Sequence, residues 1–291
     1  RGTINFIDKL NQYIHTYNNQ NPWLTVFDIN YLSSYIGIDK WNSKKDWYQF
    51  KYSPSLEASI YLCFDLSKII LSLFGFSKKC VVVDLDNTIW GGTIGDDGIE
   101  NIYLGEDSPI GEAFLEFQKY LKRLKDRGVI LAAISKNDEK IAKKGFQHPN
   151  SELKYDDFAI LIANWENKDK NIKILCSKLN LAPESIVFID DNPVERDLVS
   201  SNIPGIVVPN LTSDVTEYID FLDKNKFFVN SNITIEDLNR NNSLKVNQKI
   251  NQHLDEHKNY EDYLKSLEME SKISIIRSSD INRIVQLVNK T

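Results

Sequence analysis

Two clusters of carboxylates punctuate the chain: Asp84 and Asp86 in Val81-Val82-Val83-Asp84-Leu85-Asp86-Asn87-Thr88, and Asp190 and Asp191 in Val187-Phe188-Ile189-Asp190-Asp191-Asn192-Pro193. Asp and Asn are frequent in the turns that follow strands, so either cluster alone carries little weight. Three or four carboxylates gathered within about 4 Å of one another would repel by roughly 4 kcal/mol per pair at an effective dielectric of 20. A divalent cation removes that cost, and an all-oxygen donor set points to Mg²⁺.

Between the clusters lie other groups that a phosphoryl-transfer site requires. Ser135, Lys136 and Asn137 follow Gly128-Val129-Ile130-Leu131-Ala132-Ala133-Ile134 and can hydrogen-bond phosphoryl oxygens. Lys168 follows in Asn164-Trp165-Glu166-Asn167-Lys168 and can offset negative charge. Taken singly, Ser135 suits a turn or helix N-cap and Lys168 a solvated helix face. Their joint order, Asp-x-Asp-x-Thr, then Ser, then Lys, then Asp-Asp, argues for one assembled site.

The elements that must position these groups are legible around them. Short β-branched runs ended by carboxylates read as buried parallel strands, which deliver their carboxyl ends into the crevice where open α/β sheets bind ligands. Pro109 to Arg127 reads as an amphipathic helix with Ala113, Leu115, Phe117, Leu121 and Leu124 on its apolar face. A second helix opens at Lys168 and runs through Ile172 and Leu175. Gly-rich Trp90 to Gly98 reads as a tight hairpin after the first strand. The segments on either side of Ser135 leave no room for a large inserted cap.

These four motifs resemble the haloacid dehalogenase (HAD) superfamily of phosphatases and phosphotransferases, over about residues 79 to 212. Receiver domains also combine Asp, Ser/Thr and Lys around Mg²⁺, but they carry their acidic pair at the first strand, whereas here it comes last. Lys79 through Gly98, with Asp84-Leu85-Asp86-Asn87-Thr88-Ile89-Trp90-Gly91-Gly92, is similar to the FkbH-like subfamily. So are Ser135-Lys136-Asn137-Asp138, Asn164-Trp165-x-x-Lys168 and Phe188-Ile189-Asp190-Asp191-Asn192-Pro193-x-Glu195-Arg196. The implied fold is α/β: a HAD-like Rossmannoid three-layer sandwich with a mainly parallel sheet and a minimal cap, flanked by partial N- and C-terminal elements.

The resemblance implies roles that the chemistry also wants. Asp84 is the nucleophile that forms an aspartyl phosphate, and Asp86 the general acid and then base. Thr88 and Ser135 orient phosphoryl oxygens, while Lys168 and Mg²⁺ neutralise developing charge. Asn87, Lys136 and Asn137 bind substrate. The metal falls to Asp84, the main-chain carbonyl of Asp86, and the pair Asp190 and Asp191, between whose members the sequence does not choose. Trp90 to Gly98 becomes a flap that closes over the site.

In FkbH-like proteins the substrate is a glyceryl unit from 1,3-bisphosphoglycerate, dephosphorylated and loaded on an acyl carrier protein as in polyketide biosynthesis. A plain phosphatase acting on small esters or phosphoproteins is the alternative, and a non-catalytic module docking a carrier or synthase is a second. Where many relatives have a cysteine just before Ser-Lys-Asn, this chain has Ile134. Cys63, Cys80 and Cys176 are widely spaced, with no disulfide or metal pattern, and read as a reduced, cytoplasmic protein. Cys80 lies about 13 Å from Asp84 at strand rise, at the far end of the strand from the chemistry.

With 291 residues, 42% hydrophobic and 26% charged, the chain can hold one substantial core with flanking pieces. No apolar run reaches the ~18 residues of a membrane span, and no secretory leader is visible. The start, Arg1-Gly2-Thr3, reads as a trimmed chain. A net charge of −6 argues against nucleic acid as a general partner. An acidic carrier would need a basic patch, for which Lys40, Lys44, Lys45, Lys51, Lys78 and Lys79 are candidates.

Three regions follow. Residues 1–75 resemble the tail of an SGNH-hydrolase-like domain; their aromatics, among them Tyr13, Tyr17, Trp23, Phe27, Tyr31, Tyr35, Trp41, Trp47 and Tyr48, are expected to pack on the core, with a helix over 56–76. Residues 76–225 form the HAD-like catalytic domain. Residues 226–291 read as a helical linker, with a long helix near 243–267, and the truncated start of a GNAT-like domain.

Overall fold

The computed structural model describes residues 2–21 and 24–229. Of two compact units, Arg1–Lys245 and Val246–Thr291, the first contains all of them. Trp23, the helix expected at 243–267 and the elements expected beyond it lie outside the described residues.

The core is a parallel sheet of β1 (Cys80–Val83), β2 (Ile130–Ser135), β3 (Ile160–Ala163) and β4 (Ile186–Ile189), in the order β3-β2-β1-β4. Val83 pairs with Ala133 on one side and Ile189 on the other, so β1 is central and its end abuts those of β2 and β4. Every residue of β1, β2 and β4 is buried, as apolar runs without alternation require.

Alternate side chains divide between two faces. Val81, Val83, Leu131, Ala133, Val187 and Ile189 join α7 (Pro109–Asp126) and α11 (Tyr218–Asn225) in one cluster. Cys80, Val82, Ile130, Ala132, Ile134 and Phe188 join α9 (Lys168–Leu179) and α10 (Pro193–Asn202) in the other. This is a three-layer sandwich. On α7, Phe117, Leu121 and Leu124 are buried as their helical spacing predicts; Phe117 meets Tyr218 edge-to-face at 5.4 Å. Ser108 caps α7 through the Gly111 N–H, with Pro109 at the first turn.

The remaining helices are α1 (Gly2–Gln20), α2 (Ile29–Ile36), α3 (Ile38–Trp41), α4 (Lys44–Phe50), α5 (Leu56–Leu73), α6 (Ile94–Asp97) and α8 (Glu139–Gly145). The expectation that the N-terminal aromatics pack on the core is corrected. Tyr13, Tyr17, Tyr31, Tyr35, Trp47 and Tyr48 are exposed, and α1 buries no residue. On α1 the apolar residues Ile4, Ile7, Leu10 and Ile14 share one face at helical spacing, yet that face stays exposed, and α5 buries only Ala58 although Ile60, Tyr61, Phe64, Ile70 and Leu71 also belong to it.

The expected hairpin after β1 is one antiparallel bridge, Gly91 with Tyr103, enclosing the single-turn α6. Asn87 adopts φ +55° and accepts the Gly92 N–H through Oδ1 at 2.8 Å, which closes the turn. Between β2 and α9 the chain adds only α8, a single 3₁₀ turn and β3, so no cap domain is inserted there.

Candidate active site

The strand order reverses at β1: β2 and β3 extend to one side and β4 lies on the other. Ligands of open α/β sheets bind at the carboxyl ends of the strands flanking such a switch point. Asp84 follows β1, Ser135 ends β2, and Asp190 and Asp191 follow β4.

Lys168, the first residue of α9, is buried between two carboxylates, 2.9 Å from Asp84 Oδ2 and 2.6 Å from Asp190 Oδ2. The other oxygen of Asp190 accepts the Asn192 N–H at 2.9 Å, and Asn192 in turn caps α10 through the Val194 N–H. Asp190 therefore has partners on both oxygens. Thr88 joins the first and last motifs: its hydroxyl oxygen accepts the Asp191 N–H at 3.2 Å and lies 3.5 Å from Asp191 Oδ1.

Asp84 Oδ1 is buried and meets no donor at hydrogen-bonding geometry. Asp84, Asp190 and Asp191 each bring one carboxylate oxygen to within 4.8 Å of the others. An orphaned buried carboxylate oxygen beside two further carboxylates fits a hard, oxygen-seeking divalent cation. Asp191 is the less buried member of its pair and the one not tied to Lys168, which leaves its carboxylate the freer to face such an ion. Burial pushes the Asp84 carboxyl up to about 7, with the Asp190 charge adding to the rise and Lys168 opposing it. Burial also raises Asp191, again helped by Asp190. The two carboxylates draw the Lys168 ammonium above its ordinary value, against the effect of burial.

Asp86 is held from both ends. Oδ1 accepts the Trp90 Nε1–H at 2.8 Å and the Ile94 N–H at 3.1 Å, while Oδ2 accepts from Asn137 Nδ2 at 3.1 Å. Ser135 is buried at the end of β2. Lys136 leans away to Glu195, 2.6 Å from its Oε1. Of the three residues assigned to substrate, Asn87 thus serves the turn, Asn137 orients Asp86 and Lys136 pairs with Glu195.

Arg196 is a residue to which the sequence reading gave no role. Its Nη1 donates to the carbonyls of Asp190 and Asp191 at 2.8 and 2.7 Å, fixing the loop that carries the acidic pair. Its position three residues past Pro193, in the first turns of a helix that starts beside the site, was the available signal.

The chain is similar to the N-terminal part of a protein from Bacteroides fragilis that contains a phosphatase domain, in a crystal structure complexed with Mg: 39% identity, 77% of this chain and 60% of that one, TM-score 0.73. The α/β fold with its four-strand parallel sheet is that of this phosphatase-domain structure. The chain spans 60% of that neighbour's length. A HAD-family enzyme from Bacteroides thetaiotaomicron, complexed with magnesium and inorganic phosphate, matches at 14% identity over 47% of this chain and 95% of that one, TM-score 0.33. A probable YrbI-family phosphatase from Pseudomonas syringae pv. phaseolica matches at 19% identity over 53% and 90%, TM-score 0.32. No protein-family model and no curated protein matches the chain.

In this core, Cys80 is buried on β1, its thiol pushed up by burial, while Cys176 is half-buried on α9 and Cys63 is exposed on α5. Ile134 is buried within β2. No helix among the described residues is long and apolar enough to cross a membrane.

Proposed function

We propose that the chain is a Mg²⁺-dependent phosphohydrolase or phosphotransferase that works through a phosphoryl group carried on Asp84. The observation that carries this reading is Asp84 itself: one oxygen lies 2.9 Å from the buried Lys168 ammonium, and the other is buried without a donor beside Asp190 and Asp191. The likeness to a Mg-complexed phosphatase-domain structure supports it.

Asp84 attacks phosphorus as the ester P–O bond breaks, and Asp86 gives its proton to the departing oxygen. Water then attacks the phosphorus of the aspartyl phosphate, the P–O bond to Asp84 breaks, and the proton of that water passes to Asp86. Lys168 offsets charge on Asp84 and on the phosphoryl oxygens, while Thr88 and Ser135 offer hydroxyls to those oxygens. Asp84, Asp191 and the Asp86 carbonyl would hold Mg²⁺, which supplies electrophilic stabilisation of the transferring group. Asp190 acts through Lys168.

The more specific reading is an FkbH-like enzyme of the cytoplasm that dephosphorylates 1,3-bisphosphoglycerate and loads the glyceryl unit on an acyl carrier protein. It rests on the long motif resemblance and on an uncapped crevice that suits a tethered arm. A plain phosphatase acting on small phosphate esters is favoured by two observations: Ile134 precedes Ser135, and Cys80 sits at the opposite end of β1 from Asp84.

One experiment separates them. The chain is incubated with Mg²⁺, 1,3-bisphosphoglycerate and a carrier protein, with Asp84→Asn in parallel; released phosphate and carrier mass are read together. A glyceryl or phosphoglyceryl adduct lost in the variant supports loading, and phosphate without adduct supports the phosphatase. Phosphate from neither this substrate nor a panel of esters overturns the enzymatic reading.

A further inference from the structure

Asp86 can donate a proton to a leaving group only if its carboxyl is aimed at the crevice, yet it sits half-buried on a loop rather than within a strand. Trp90 is one of three donors that fix it, beside the Ile94 N–H and Asn137. The indole is fully buried and donates Nε1–H to Asp86 Oδ1 at 2.8 Å. The ring is wedged: Phe146 meets it edge-on at 5.4 Å, and a methyl group at Gly145 would come within 2.5 Å of its six-membered ring. Gly145 ends α8, so the packing of that helix sets where the indole lies and hence where Asp86 points. A buried Trp needs an acceptor for its N–H, but a backbone carbonyl would satisfy that need as well as a reacting carboxylate does.

We infer that Trp90 is a positioning residue for Asp86, and that Gly145 is glycine because the indole must reach this place. The inference rests on the phosphoryl-transfer reading and adds to it a helix-borne control on proton transfer to the leaving oxygen.

The test exploits leaving groups. An alkyl phosphate needs a proton as its P–O bond breaks, whereas p-nitrophenyl phosphate departs as a stable phenolate and needs little help. Because kcat/KM covers the steps through ester cleavage, it isolates this transfer from later hydrolysis of the aspartyl phosphate. Trp90→Phe keeps an aromatic ring and removes the donor. It is expected to lower kcat/KM for an alkyl phosphate by about tenfold to a hundredfold, a share of what general acid catalysis supplies, while p-nitrophenyl phosphate changes less than about threefold. Gly145→Ala, which displaces the indole and leaves its N–H intact, is expected to give the same split. Added to Asp86→Asn, either change should cause no further loss with the alkyl ester, since both act through that carboxylate.

Equal losses on both esters, or full additivity with Asp86→Asn, would reduce Trp90 to a packing residue and overturn the inference. If Trp90→Phe does not fold by circular dichroism, Gly145→Ala and its double variant decide alone; if neither variant folds, an Nε1-lacking tryptophan isostere at position 90 decides by the same split. A wild-type chain that turns over neither ester, with Mg²⁺ present, sinks the phosphoryl-transfer reading and this inference with it. A wild-type chain active on both, with no split in the variants, sinks the inference alone.

Discussion

Lys168 Nζ lies 2.9 Å from Asp84 Oδ2 with both groups buried, so the proposed nucleophile and a cation are held together before any substrate arrives. Removing the cation leaves Asp190, its second buried partner, without a countercharge in the interior. Lys168→Met is expected to cost about 3–5 kcal/mol of stability, as broken buried pairs do. Turnover should fall at least ~10²-fold, the scale for loss of an electrostatic transition-state contact. Urea denaturation and single-turnover kinetics check the two effects separately.

The raised Asp84 carboxyl makes stability depend on pH. In cation-free protein the folded chain keeps this proton up to about pH 7, while the unfolded chain releases it near pH 4. Across that window the folded state binds more protons, so this contribution is fully present below the unfolded value and is lost as pH rises through the folded one. Asp191, also raised, acts in the same direction. Denaturation in EDTA should therefore show a loss of stability from pH 5 to 8 that Asp84→Asn flattens.

Mg²⁺ should reverse that trend, because protons and the cation compete for the same carboxylates. The rise in Tm on adding Mg²⁺ is expected to be larger at pH 8 than at pH 5.5. Equal Tm shifts at the two pH values would remove Asp84 from the metal site.

Arg196→Ala takes away the two hydrogen bonds that hold the carbonyls of Asp190 and Asp191. Supports of this kind typically carry about 10- to 100-fold in metal affinity, so Mg²⁺ titration by calorimetry should weaken on that scale. Arg196→Lys retains the charge without the planar fork and is expected to restore only part of the loss.

Phe117→Ala probes the core away from the chemistry. Phe117 is fully buried against Tyr218, and its loss should cost about 3–5 kcal/mol. Turnover per folded molecule should stay at the wild-type value when assayed well below the new Tm.

The candidate site was readable because its residues are tied to strand ends and helix starts, features that leave local marks. Asp84, Ser135, Lys168, Asp190 and Asp191 all stand where an apolar run stops or a helix begins. β3 was not read as a strand: its four-residue apolar run is as long as those of β1 and β4, but Asn164 follows it where carboxylates close theirs. The contacts of Asn137, Trp90 and Lys136 were hidden for another reason. Each depends on how one loop lies against another, as when Asn137 after β2 reaches Asp86 after β1. The N-terminal aromatics misled because hydrophobicity signals burial without naming the partner, and no residue of α1 is buried.

The strand order also fixes which edge of the sheet can be completed last as the chain is made. β1 is made first, β2 and β3 dock along one side of it, and β4, made last, closes the other. Until residues 186–189 have emerged, Cys80 to Val83 present an open, wholly apolar margin to other nascent chains, the kind of edge that seeds aggregation. The same late strand brings Asp190 and Asp191, so a chain stalled before them is both sticky and inert. The proposed catalytic pair and the protection of the sheet arrive in a single step of synthesis.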